Sequence, residues 1–133
     1  MGKYSYMKTH KDLEVYKNSL KLVADIYDVT KNFPKEEQFG LTTQIRRAAV
    51  SVPSNISEGA ARNQKKEFIR FLQIAMGSLA EVETQIFISQ TLDYLSREKF
   101  DVVQGKINHV RAQLSGLIKS IKWGIENGEG VLK

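Results

Sequence analysis

RRAAVSVPSNISEGAARN, residues 46–63, sets a proline, three serines and two asparagines inside helix-forming sequence with arginines at both ends. Placed on a helical wheel from 39 to 61, its irregularity resolves into two stripes. Leu41, Ile45, Ala48, Val52 and Ile56 line one face. Beside them Gln44, Arg47, Ser51, Asn55 and Glu58 recur at steps of three and four, so most of the polar groups form one ridge; Arg46, Ser54 and Ser57 fall outside it. A loop has no reason to keep this period. The stretch therefore predicts a helix through Pro53, kinked there by loss of the hydrogen bond to the carbonyl of Ala49, at a cost of about 3 kcal/mol in an ordinary context.

The flanking sequence predicts three more helices. In the last third Phe100, Val103, Ile107, Val110, Leu114, Leu117 and Ile121 step alternately by three and four, the seam of a packed helix, with Ser96 as N-cap and Gly128 as stop. The first helix repeats that seam in Leu13, Tyr16, Leu20, Val23 and Tyr27. Val15, Leu22, Ile26 and Val29 widen it to an apolar arc of roughly 200°, more than one core requires, which implies a second buried surface. A long third helix carries Phe68, Phe71, Leu72, Ala75, Met76, Leu79, Val82 and Ile86 on its inner face, and Glu83 falls within the same arc. A carboxylate there requires a partner, for which Arg47 or Gln44 is expected, with Ser78 completing the network. Short connections make the whole an all-α, up-down antiparallel four-helix bundle in one domain, 1–133, with helices at about 12–31, 38–61, 65–92 and 96–126.

Composition removes several function classes. A chain of 133 residues without cysteine has no disulfide framework, no thiolate metal site and no cysteine nucleophile. No run approaches the roughly 20 apolar residues of a membrane span and the start lacks a signal sequence, so a soluble, cytoplasmic protein with no membrane partner is expected. Gly2 lacks the Ser or Thr at residue 6 that acylation needs. His10 and His109 have no ligand at helical spacing, Ser96 and Lys99 form a helix start rather than a catalytic pair, and Gly59 stands alone instead of in a phosphate loop. Neither metal nor cofactor is expected, and no enzymatic activity. Trp123, near Lys119 and Lys122, suits packing at a helix end better than base stacking.

Charge points elsewhere. Of the net +5, four units lie between Arg46 and Arg70, where Arg46, Arg47, Arg62, Lys65, Lys66 and Arg70 face only Glu58 and Glu67. Basic residues at a turn suit phosphate contacts, although a merely solvated face has the same composition.

The stretches DLEVYKNSL, FGLTTQIRRAAVSVPSNISEGAAR and EFIRFLQIAMGSLAEVETQI, in this order, resemble the four-helix-bundle proteins encoded in intervening sequences of bacterial 23S rRNA genes. That resemblance covers about 9–125 and implies a ring-forming homo-oligomer, a homopentamer above all, consistent with the wide apolar arc of the first helix. It extends to the accessory variability determinant of diversity-generating retroelements, a basic barrel that engages nucleic acid. The family supplies no catalytic residues. The expected function is a non-enzymatic oligomer binding RNA, or DNA, through Arg46, Arg62, Lys65, Lys66 and Arg70. The alternative is a ring-forming adaptor that docks a protein partner and ignores nucleic acid.

Overall fold

The computed structural model describes residues 7–128, so Gly2 lies outside the described residues. Four α-helices follow one another: α1 (His10–Thr30), α2 (Leu41–Ala61), α3 (Lys65–Thr91) and α4 (Arg97–Glu126), with a single 3-10 turn at Lys35–Glu37. Among the described residues there is no strand. α1 packs on α2 and α4, α3 packs on the same two, and the diagonal pairs make no close backbone approach, so the four helices enclose one core.

Each boundary has a local cause. α1 begins at His10, earlier than the apolar period suggests, because Thr9 and Asp12 form a reciprocal capping box: the Thr9 hydroxyl accepts from the Asp12 amide and the Asp12 carboxylate accepts from the Thr9 amide. Ser96 caps α4 by accepting from the Lys99 amide at 3.2 Å, which gives the Ser-x-x-Lys sequence its structural role. Between α3 and α4, Asp93 adopts a left-handed φ of 61°, and the Tyr94 amide reaches back to the Ser89 carbonyl at 2.9 Å. Gly128 also has a positive φ, 85°, where α4 stops.

α2 is continuous through Pro53, which is buried beside Val52 and Ile56. Its tightest approach is to α3. A Cβ at Gly59 would sit 2.7 Å from Phe71 Cβ and 2.9 Å from Phe68 Cδ1, so only glycine lets the two helices come this close. The α4 seam from Phe100 to Leu117 is buried, as are most of the inner-face residues of α3, with Met76 at the margin.

α1 departs from the sequence reading. Its buried stripe is Val15, Ser19, Leu22, Ile26 and Val29, whereas Leu20 and Tyr27 are exposed and Leu13, Tyr16 and Val23 are half-buried. Both stripes are apolar, so period alone did not distinguish them. Compact β-branched and Leu side chains fill the narrow centre between four helices, and the bulkier tyrosines remain at the rim. Trp123 also stays outside the core, 61 % exposed.

Candidate nucleic-acid interface

The chain reverses direction over Arg62–Gln64, and α3 then opens with Lys65, Lys66 and Glu67. Phe71 organises this corner. The guanidinium of Arg62 lies 5.0 Å from its ring centroid and that of Arg70 lies 4.7 Å from it, two cation–π contacts on one aromatic. Arg62 is also paired with Glu58 at 3.3 Å, and Arg70 with Glu67 at 3.2 and 3.3 Å through both oxygens. The hydrogen bond from Arg70, reinforced by the charges of Arg70 and Arg62, holds the Glu67 carboxyl below its ordinary range despite the opposing effect of burial. Four cations thus meet two carboxylates within one turn and its flanks, an excess of positive charge whose arginines are oriented in advance. Lys66 is exposed and Lys65 half-buried.

Arg46 is not part of this corner. Sixteen residues of helix, about 24 Å, separate it from Arg62. Instead of pointing outward, its Nε donates to Thr30 Oγ1 at 2.9 Å, its Nη2 donates to the Tyr27 carbonyl at 3.3 Å, and its guanidinium covers the Tyr27 ring at 4.5 Å. The cause lies in α1, whose last turn contains no basic residue of its own to satisfy the terminal carbonyls. Arg46 on α2 takes that place.

The ridge of α2 divides. Ser51 Oγ is 2.8 Å from Ser78 Oγ of α3, and Asn55 Nδ2 donates to Ser51 Oγ at 3.0 Å and to the Ser51 carbonyl at 2.8 Å. These three residues link α2 to α3. Gln44 and Arg47 are exposed, and Glu58 faces Arg62.

Glu83 corrects the sequence reading most directly. Its partners are not Arg47 or Gln44 but two α4 side chains: Arg111 Nη2 donates to Oε1 and Gln104 Nε2 donates to Oε2, each at 2.6 Å. Asn108 Oδ1 accepts from both Gln104 and Arg111 at 3.0 Å, closing the group. Glu83 occupies the α3 flank that faces α4, on the opposite side from α2. Burial alone would raise its pKa, but the hydrogen bonds from Arg111 and Gln104 and the Arg111 charge outweigh burial and hold the carboxyl below its ordinary value of 4.5. A polar α4 ridge, Gln104–Asn108–Arg111 at steps of four and three, was visible in the sequence; only the helix order around the core tells which ridge Glu83 meets.

Among the described residues no group of three or more His, Asp or Glu side chains could hold a metal ion, and no helix is long and apolar enough to cross a membrane. Arg62, Lys65, Lys66 and Arg70 carry charge and hydrogen-bond donors of the kind that contact phosphates.

A family model described as the 23S rRNA-intervening sequence protein matches residues 11–116. Among solved structures, a protein of unknown function from the S23 ribosomal protein family of Bacteroides thetaiotaomicron is similar to this chain at 26 % identity and a TM-score of 0.76, over 82 % of this chain and 98 % of that one. No curated protein sequence matches.

Proposed function

The chain belongs to the 23S rRNA-intervening sequence protein family, and from that premise we propose that it is a non-enzymatic, oligomeric nucleic-acid-binding protein that favours RNA. Its contacts are phosphate contacts from Arg62, Lys65, Lys66 and Arg70; Arg46 lies apart from them, held against α1. The observation that carries the reading is the pair of arginines held on the Phe71 ring at a corner with more cations than carboxylates. Preorganised guanidiniums lose less side-chain entropy when a phosphate arrives than free ones do. Contacts of this kind fix position and carry no base information, so affinity should be insensitive to sequence and sensitive to salt.

The proposed bundle is up-down and antiparallel, bent at Pro53, and works in the cytoplasm as a homo-oligomer, with a pentamer favoured. Exposed Leu20 beside half-buried Leu13, Tyr16 and Val23 supports assembly through α1. The same ring would make the chain a relative of the accessory variability determinant of diversity-generating retroelements. A ring gathers several basic corners on one particle and multiplies weak contacts through avidity.

The test is a salt titration of binding to a single-stranded and a duplex RNA, with the particle mass measured in parallel. Four phosphate contacts per protomer predict that log affinity falls against log salt with a slope of about −3 to −4. A flat response would remove nucleic acid from the proposal. A second reading, a ring that docks a protein, is favoured by a separate observation: Ile74, Ile88 and Leu92 on α3 are 41 %, 41 % and 48 % exposed. It predicts salt-independent indifference to RNA, and polar substitutions on that flank that abolish capture of a protein partner.

A further inference from the structure

Thr43, Arg46, Arg47, Val50 and Ser51 lie at the i, i+3, i+4, i+7 and i+8 positions of α2 and, with Tyr27 of α1, line an open groove of about 490 Å³. The charge of this groove is of one sign. Two arginines line it, from neighbouring positions on α2, and no carboxylate does.

The two arginines differ in a way that suggests a division of labour. Arg46 is immobilised by Thr30, the Tyr27 carbonyl and the Tyr27 ring, and its Nη1 edge carries none of those hydrogen bonds. Arg47 makes no hydrogen bond, ion pair or ring contact among the described residues, unlike Arg46, Arg62, Arg70, Arg97 and Arg111, each of which does. An arginine left without a partner next to a fixed one matches the geometry of anion capture: one guanidinium preset, the other free to close. Ser51 adds an oxygen at the rim. Its Oγ is 2.8 Å from Ser78 Oγ and accepts from Asn55 Nδ2 at 3.0 Å, so when Ser78 donates, the Ser51 hydroxyl hydrogen is left for another acceptor.

We propose that this groove is a phosphate-binding site, with Arg47 as the closing ligand, Arg46 as the fixed one and a phosphate or diphosphate group as the chemistry recognised. It is separate from the Phe71 corner, about 24 Å along α2, and does not rest on that corner binding RNA. A phosphate could arrive free, as on a nucleotide, or as part of a nucleic-acid backbone; planar, bidentate donors suit both.

Pyrophosphate titrated into the full-length protein at low ionic strength, followed by calorimetry, tests the site. Wild type should bind saturably. Arg47→Gln should weaken binding at least fivefold with an unchanged melting temperature, because Arg47 has no intrachain partner to lose. In a combined Arg62→Gln, Lys66→Gln and Arg70→Gln background, Arg47→Gln should still weaken the remaining saturable binding at least fivefold, which separates this site from any pyrophosphate bound at the corner. No saturable binding by wild type, or an Arg47→Gln affinity equal to wild type, would overturn the proposal. A single-stranded RNA arm assigns the source: if Arg47→Gln weakens RNA binding as well, the site takes backbone phosphates, and if it affects pyrophosphate alone, the site serves a free phosphate.

Discussion

Removing the Glu83 carboxylate should cost this bundle more stability than any change on the α2 ridge. Glu83 and Arg111 meet at 2.6 Å with their side chains 24 % and 36 % exposed, between the fully wet pairs worth about 0–1 kcal/mol and the fully buried ones whose rupture costs about 3–5 kcal/mol. Solvent screening at those exposures brings the estimate down. The carboxylate also accepts from Gln104, whose Oε1 is already buried without a partner, so Glu83→Ala leaves that amide with Asn108 alone. The sum is a loss of about 2 kcal/mol for Glu83→Ala and about 1 kcal/mol for Arg111→Ala, which leaves Glu83 held by Gln104. In a chain of this size the first should lower the melting temperature by about 6–10 °C. Chemical denaturation of both single variants and the double variant, at one fixed protein concentration, gives the coupling energy, expected at about 1 kcal/mol. Zero coupling, or a larger loss from Arg47→Ala than from Glu83→Ala, would refute the assignment of Arg111 as the partner.

Three further outcomes follow from the same geometry. Because the folded pKa of Glu83 lies below the unfolded one, its contribution is present at neutral pH and is lost as pH falls from 4.5 through the folded value, so Glu83→Gln should flatten the acid limb of a stability–pH curve. Gly59→Ala sets a methyl 2.7 Å from Phe71 Cβ; overpacking of about 1–3 kcal/mol exceeds the roughly 1 kcal/mol gained in helix propensity, and a stabilised variant in a thermal melt would contradict the close approach. Asp93→Gly relieves a left-handed φ of 61° and should stabilise by about 0.5–1 kcal/mol, whereas a loss on denaturation would show that Asp93 is held by more than its backbone.

Much of the bundle was legible because helix period, caps and stops are local properties. The α4 seam from Phe100 to Leu117 and the Ser96 cap could be read from spacing alone. What could not be read depends on neighbours. Arg46 and Arg47 are adjacent in sequence with the same chemistry, yet one caps a foreign helix and the other is unpartnered, because a rotation of about 100° separates them and only the placement of α1 gives that rotation a meaning. Glu83 likewise demanded a cation, and the sequence contained one on each side of α3. The cyclic order of the helices, rather than charge or period, decided for Arg111.

The two apolar stripes on α1 leave that helix with a choice of rotational register. Turned by little more than a residue's pitch, Leu13, Tyr16, Leu20, Val23 and Tyr27 would enter the core, and hydrophobicity alone would scarcely object. Specific polar pins oppose that roll: Asn18 Nδ2 donates to Gln113 at 3.0 Å, Lys106 is paired with Asp25, and Thr30 is held by Arg46 from the other side. Each pin is partly exposed and contributes little to the free energy of folding. Together they reinforce the choice that core packing makes of which face of α1 remains outside, so the surface that the protein presents to other molecules is locked at the rim as well as in the centre.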